Sequence, residues 1–393
     1  VLSEVPHRLR LVLVAGPTRT RRIDDRAPVP TTNRGAASMT VMPGNLKPSK
    51  PAPATIPTLY DKLKTGPRIS LADQVPLRGP LSIFVEPTNI CNFKCVFCPE
   101  SFANYEEKAG GLFQMKPHDF ERVAEQIGRI GTVKTLNFYM MGEPFVNRSL
   151  LDYVRLAKRE GICDRVIVTS NGTLIGPKLY RGICESELDY LRVSIYGATE
   201  AHQSANTQSV IKLQRIIDNI RGLREFRDAN GFATPHIYVK MIDAQDDAQN
   251  AVFLETFREV GDEVAVEPRM NWNDPEEGSL AKIETQQMLG TDYFAQRKQA
   301  CPFPFYMAVI HADLNVSVCC VDWDKKVVVG NLREQTLEEI WTGEKLRAFQ
   351  MLHLERRRSE IAGCRNCTYL HTARDSIDTL SPETFRARLA ART

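Results

Sequence analysis

Cys91-Asn92-Phe93-Lys94-Cys95-Val96-Phe97-Cys98 sets three thiols within eight residues, shortly after the apolar run Leu81 to Glu86. A structural zinc site takes four protein ligands, usually as two Cys or His pairs set well apart, and no fourth Cys or His stands near this triplet. A [4Fe-4S] cluster normally takes four thiolates, so three of them leave one iron open to a small molecule. A zinc knuckle or buried free thiols is the competing reading, since lone cysteines often serve as small hydrophobes.

Outward from the triplet, short apolar runs alternate with amphipathic segments. Strands are expected at Leu81 to Glu86, Thr135 to Met140, Arg165 to Thr169, Tyr190 to Ile195, His236 to Ile242 and Glu263 to Glu267. Between them Phe120, Val123, Ala124, Ile127 and Ile130 fall on one helical face, as do Val210, Leu213, Ile217, Ile220 and Leu223. Strand-helix alternation builds a parallel sheet. Six units before the composition changes near residue 270 predict an α/β fold, a partial (β/α)6 TIM barrel open on one side. Ligands in such sheets sit at the carboxyl ends of the strands, which is where the triplet falls.

The pattern Cys-x3-Cys-x-aromatic-Cys resembles the signature of the radical S-adenosylmethionine (SAM) enzymes. The resemblance covers about residues 80 to 370. It implies that Cys91, Cys95 and Cys98 hold a [4Fe-4S] cluster whose open iron binds the SAM amino and carboxylate groups, with Phe97 against the adenine. Met140-Met141-Gly142-Glu143-Pro144 resembles the family's Gly-Gly-Glu motif, with Met141 in place of the first glycine. Gly142 permits close backbone approach and Glu143 offers an acceptor to an ammonium. Ser170 and Asn171 in Thr169-Ser170-Asn171-Gly172-Thr173, and Ser194 at the end of the fourth strand, resemble positions that face SAM or substrate; Asn-Gly is also an ordinary turn signal.

A second thiol set comprises Cys301, Cys319, Cys320, Cys364 and Cys367. A hairpin is expected from Met307 to His311 and Val316 to Val321, turning at Asp313-Leu314-Asn315. Thr336 and Glu339 then form a capping box for a helix that buries Leu337, Ile340, Trp341 and Phe349. Hairpin, Gly330-Asn331-Leu332, Ile-Trp helix and Cys-x2-Cys together resemble the SPASM or twitch extension of radical SAM enzymes. That likeness implies an auxiliary [4Fe-4S] cluster on Cys301, Cys319, Cys364 and Cys367, as part of a small hairpin-plus-helix domain. Cys319 matches the family's Asp-Gly-x-Val-x-x-Cys pattern with Leu314 for Gly. Whether Cys319 or Cys320 is the ligand stays open, as does zinc bound by cysteine pairs. Cys163 and Cys184 are expected in the core.

The cofactors implied are SAM and two [4Fe-4S] clusters, with a reducing partner such as flavodoxin or ferredoxin. The expected substrate is a small polar molecule: a sugar, aminocyclitol or nucleoside. Oxidation of its alcohol would resemble the twitch-type aminocyclitol dehydrogenases. Epimerisation would resemble the carbohydrate epimerases, with Cys320 as a candidate hydrogen donor. Arg269, Asn271 and Trp272 are candidate substrate contacts, because an Arg fork and an aromatic face suit a hydroxylated or anionic ring. The alternative is modification of a ribosomally made peptide; Pro-rich residues 1 to 75 show no pattern for gripping a leader.

Composition sets the outer bounds. The 393 residues are 42% hydrophobic, enough for a sizeable core, and 51 basic against 48 acidic side chains leave a formal charge of +3. So small an excess, with no localised basic face, gives no reason to expect nucleic acid. No apolar run reaches the roughly 18 residues of a bilayer span, and Leu11 to Ala15 is short for a secretory signal. A cytoplasmic enzyme is expected, its ten cysteines serving metal or redox chemistry. The expected domains are a disordered extension (1–75), for which a start at Met39 or Met42 is an alternative, a radical SAM core (76–270), a linker (271–299), an auxiliary-cluster domain (300–370) and a tail (371–393).

Overall fold

The computed structural model describes residues 69–267, 298–365 and 367–392. Six strands, β1 (Ser82–Val85), β2 (Thr135–Phe138), β3 (Val166–Ser170), β4 (Tyr190–Ile195), β5 (His236–Ile242) and β6 (Glu263–Glu267), pair in parallel in sequence order. Helices α1 (Pro117–Ile130), α2 (Leu150–Arg159), α3 (Pro177–Glu185), α4 (Glu200–Thr207), α5 (Leu213–Ala229) and α6 (Asp247–Phe257) lie between them. The α/β partial barrel expected from the alternation is therefore present. Strand bounds agree with the sequence reading to within one or two residues.

Side-chain alternation explains how the sheet serves both a core and a cavity. Ile83, Val85, Leu136, Phe138, Val166, Val168, Leu191, Val193, Ile237 and Val239 join the main core with the apolar faces of α1, α2, α3 and α5. Their alternate neighbours, among them Thr169, Arg192, Ser194 and Lys240, line the cavity on the other side. Period-two placement puts these sets on opposite faces of each strand.

One helix differs from the sequence expectation. Val210 is 93% exposed in the loop between α4 and α5, whereas Leu213, Ile217, Ile220 and Leu223 are buried. Helical phase alone placed Val210 on the apolar face, but the helix begins only at Leu213. Of the two core thiols, Cys184 is buried and Cys163 is half-buried.

The C-terminal hairpin does more than follow the barrel. β7 (Met307–Ile310) pairs in parallel with β1, and β8 (Asn315–Ser317) and β9 (Val328–Asn331) continue antiparallel, so one nine-stranded sheet runs β6-β5-β4-β3-β2-β1-β7-β8-β9. The uninterrupted apolar run of β7, buried throughout, suits a strand covered on both faces. Leu314 occupies the turn position with φ +68° and is fully buried. Left-handed backbone costs a leucine about 1 kcal/mol, which burial of its side chain, worth about 2 kcal/mol, offsets. β8 ends at Ser317, short of the expected Val321, so Cys319 and Cys320 leave the ladder. The capping box at Thr336 and Glu339 forms as expected at the start of α7 (Leu337–Thr342), followed by α8 (Glu344–Leu354). Leu337, Ile340, Trp341 and Phe349 are buried.

A buried acid ties the hairpin to the barrel. Glu86, just past β1, accepts from Met141 N (3.3 Å) and Ala312 N (3.1 Å), and lies 3.6 Å from His311 Nδ1. Burial pushes its carboxyl up, but His311 and the Ala312 amide outweigh this and hold it below the ordinary value. The loop after β2 and the turn after β7 are thus fixed to one side chain.

Candidate functional site

The cysteine-triplet loop is docked on three sides. Asn89 donates to Gly111 O (2.8 Å) and accepts from Phe113 N (2.6 Å), while Lys94 N and Val96 N donate to Thr207 O and Asn206 O at the end of α4. Asn92 Nδ2 donates to Thr173 Oγ1 (2.8 Å), and Asn171 Nδ2 donates back to Asn92 Oδ1 (2.8 Å). The three thiols open into a cavity of about 290 Å³. Phe97, Gly142, Glu143, Ser170, Asn171 and Ser194, the candidate cofactor contacts, line it, and so does Cys320. Pro144 is buried behind Glu143 as the first residue of a 3-10 turn. Arg269, Asn271 and Trp272 lie outside the described residues.

Glu143 is held with its charge aimed. Its Oε1 accepts from Ser170 Oγ (2.8 Å) and Phe145 N (3.1 Å), and Oε2 accepts from Asn171 N (2.7 Å). A carboxylate offers about four lone-pair sites, so one remains for an incoming ammonium. Burial raises its pKa to about 7 against the pull of those donors. The Ser170 hydroxyl also accepts from Gly172 N, and the Asn171 amide binds Asn92 and Thr173. Their polar atoms are therefore committed to Glu143 and to the loop, which makes both positioning residues.

The thiols are costly to ionise alone. Burial, with the Glu143 carboxylate, pushes Cys91 up to about 12, and burial also raises Cys95 and Cys98. Only a strongly cationic group could hold three thiolates here. In the second set Cys301 lies within electrostatic range of Cys367 and Cys364, and Cys319 within range of Cys320, Cys367 and Cys301. Burial raises all four, Cys364 to about 12. Cys320 is also within electrostatic range of Cys367, and its Sγ is 3.3 Å from Tyr369 Oη at the cavity wall. Among the described residues no three His, Cys, Asp or Glu side chains are drawn tightly enough around one metal ion.

Among the described residues two buried polar atoms in the cavity lining lack hydrogen-bond partners, Glu100 Oε1 and Thr169 Oγ1. Glu100 is 3% exposed, with its other oxygen 2.9 Å from Lys94 Nζ. Orphaned buried polar atoms are costly, and a polar ligand in the cavity would satisfy them. Sequence reasoning missed both, together with Tyr139, Arg192, Tyr196, Lys240, Glu267 and Tyr369. Tyr196 stands 5.2 Å from Phe97, ring to ring.

An α/β sheet carrying an incompletely ligated thiol triplet at its strand ends, with a second thiol group beside it, defines the radical SAM class of proteins. The sequence model of the radical SAM superfamily matches residues 85–247, and that of the SPASM domain, an iron-sulfur cluster-binding domain, matches residues 301–368. The chain belongs to the radical SAM superfamily and carries a SPASM domain. It is similar to the S-adenosyl-L-methionine-dependent 2-deoxy-scyllo-inosamine dehydrogenase of Niallia circulans, at 21% identity over 72% of this chain and 91% of the relative. It is also similar to the tungsten-containing aldehyde ferredoxin oxidoreductase cofactor-modifying protein of Pyrococcus furiosus, at 23% identity over 69% of this chain and 83% of the relative. The fold is like that of Streptococcus suis SuiB bound to precursor peptide SuiA, with TM-score 0.56, 16% identity, and 81% and 77% of the two chains covered. The chain is a radical SAM enzyme whose cofactors are SAM and [4Fe-4S] clusters. Among the described residues no helix is long and apolar enough to cross a membrane.

Proposed function

We propose that this chain abstracts hydrogen from a carbon of a small hydroxylated substrate, a sugar, aminocyclitol or nucleoside, and oxidises or epimerises it. The observation that carries this reading is one cavity bounded by Cys91, Cys95 and Cys98 on one side and by Cys320 and Tyr369, neighbours of the second thiol set, on another. The similarity to a dehydrogenase of 2-deoxy-scyllo-inosamine supports it; the likeness to SuiB is one of fold. When bound, the first cluster supplies the electron that splits SAM into methionine and a 5'-deoxyadenosyl radical, and the second can take an electron from the substrate.

The residues divide the work. Cys91, Cys95 and Cys98 would hold the first cluster, and Cys301, Cys319, Cys364 and Cys367 the second. Glu143 would accept the SAM ammonium, oriented by Ser170 and Asn171, while Phe97 packs on the adenine and Ser194 faces the ligand. A reducing protein such as flavodoxin or ferredoxin would supply electrons from outside. Residues 76–270 and 300–370 form the two functional regions.

Oxidation and epimerisation part at Cys320. Oxidation removes a hydrogen atom from carbon, a proton from the hydroxyl and an electron to the second cluster. Epimerisation would return a hydrogen atom from the Cys320 thiol to the opposite face of the carbon, leaving a thiyl radical that one electron from the reducing protein and one proton from solvent would restore to the thiol. Cys320 is held as a thiol, pushed up to about 11 by burial against the opposing Tyr369 bond, so it carries the hydrogen such a step needs. In deuterated water with SAM, a reductant and a panel of sugars and aminocyclitols, an epimerase should yield carbon-bound deuterium that Cys320→Ala loses. A dehydrogenase should yield ketone without deuterium, with Cys320→Ala still forming it. If no member of the panel transfers hydrogen to 5'-deoxyadenosine, the small-molecule reading fails.

A pH effect follows from Glu143. With its pKa near 7, the carboxylate is neutral below and an acceptor above, so SAM affinity should weaken as pH falls through about 7. Calorimetric titration one unit either side should show this fall in the native chain. Glu143→Gln should flatten that part of the profile, leaving only the titration of SAM itself. An unchanged profile would remove Glu143 as the ammonium partner.

A further inference from the structure

The cavity wall formed by β4, β5 and β6 carries charges that the cluster chemistry does not use. Glu267 accepts from Arg192 Nη2 (3.0 Å) and Tyr238 Oη (3.0 Å) at Oε1, and from Lys240 Nζ (2.8 Å) and Arg192 Nη2 (3.4 Å) at Oε2. With about four acceptor sites on a carboxylate, Glu267 is saturated. Burial pushes it up, but Lys240 and Arg192 outweigh burial and hold it down at about 2. It is therefore a fixed anion with no capacity left for a ligand ammonium.

What still faces the cavity here are donors. Lys240 has three ammonium protons, and Glu267 takes one. Tyr139 Oη accepts from Arg192 Nη1 (3.2 Å), which leaves its own proton free to be donated. Thr169 Oγ1, on the strand beside Arg192, has no hydrogen-bond partner among the described residues. These side chains are well shielded, with Arg192, Lys240 and Glu267 at 19%, 15% and 14% exposure. Buried donors without acceptors cost free energy, and a charge-assisted bond to an anion would recover it.

We propose that Lys240, Tyr139 and Thr169, set around the Arg192–Glu267 ion pair, form a subsite for an anionic oxygen group of the substrate, a carboxylate or a phosphate, and disfavour an ammonium at that position. This rests on the reading of the cavity as a substrate site and narrows it toward acidic or phosphorylated sugars and away from amino sugars. A purely structural ion-pair network is the competing explanation.

Binding without turnover separates the two and leaves the radical reaction out of the measurement. Cluster-reconstituted, SAM-loaded protein would be titrated calorimetrically, with no reductant, against D-glucuronate, D-glucose 6-phosphate, D-glucose and D-glucosamine. At least one anion should bind about tenfold more tightly than glucose, with glucosamine weakest; which anion leads tells carboxylate from phosphate. Lys240→Met should erase the gap and Lys240→Arg should keep most of it. Tyr139→Phe, which removes one hydroxyl, should cost about fivefold and serves if Lys240→Met folds poorly. Equal affinities, tightest binding by glucosamine, no binding of any probe at millimolar concentrations, or a gap that survives Lys240→Met would each overturn the subsite. Failure here with hydrogen transfer still observed on other substrates would leave the proposed function standing.

Discussion

Cys91→Ala is expected to abolish SAM cleavage and to lower the iron content of anaerobically reconstituted protein from about eight to about four per chain. The triplet's loop holds no spare cysteine, because the other seven, Cys163, Cys184, Cys301, Cys319, Cys320, Cys364 and Cys367, are at least 65 residues further along the chain. Cys91 sits beside Asn92, whose side chain is clamped by Thr173 and Asn171, so a neighbour cannot swing in to replace it. With two thiolates the cluster should be lost and activity should fall by a thousandfold or more, about 4 kcal/mol or more of barrier. Cys319→Ala should also leave about four irons, but SAM cleavage should persist while product formation changes. Iron analysis, electron paramagnetic resonance and 5'-deoxyadenosine assays on the two variants give opposite patterns if the two thiol groups hold separate clusters. Parallel loss of all iron in both would argue against two independent centres.

The split between what local sequence shows and what it hides follows from distance along the chain. Spacing within Cys91 to Cys98 and apolar periodicity within Phe120 to Ile127 are local, and both carried through to three dimensions. The pairing of β7 with β1 is not local: Ser82 and Met307 meet in register across most of the chain, and nothing in either run names its partner. Glu86 likewise gains meaning only from Met141 and Ala312. Adjacent residues such as Cys319 and Cys320 offer sequence no way to choose between them, since both stand just past the same strand. The Arg192, Lys240 and Glu267 group did leave a trace. Tyr190-Leu191-Arg192-Val193-Ser194-Ile195 alternates polar and apolar residues, whereas a parallel strand covered on both faces reads as continuously apolar. Such alternation marks strands with one polar face, here the face that lines the cavity.

The second large effect is expected at Gly142, where two independent obstacles to a side chain coincide. Its φ of +72° is strained for any L-residue with a Cβ, and a Cβ built there would overlap Thr88 O and lie 2.8 Å from Ile90 N and 2.9 Å from Ile90 O. All three are backbone atoms that cannot rotate away. They belong to the segment leading into Cys91, and Glu143 N donates to the same Ile90 carbonyl at 3.0 Å. Gly142→Ala must therefore part the Glu143 loop from the cysteine loop, moving the ammonium acceptor and the cluster ligands relative to each other. Backbone strain of about 1–2 kcal/mol plus the overlap should cost about 3 kcal/mol or more in stability, and SAM should bind at least about tenfold more weakly. Gly110 is the matched control: it has φ +76° but no atom of the described residues within 4 Å of its built Cβ. Gly110→Ala should show only the strain, about 1 kcal/mol, with SAM affinity unchanged. Denaturant unfolding and SAM titration of both variants separate conformation from contact. Equal losses in the two would mean that the close approach of Gly142 to Thr88 and Ile90 does not hold the site together.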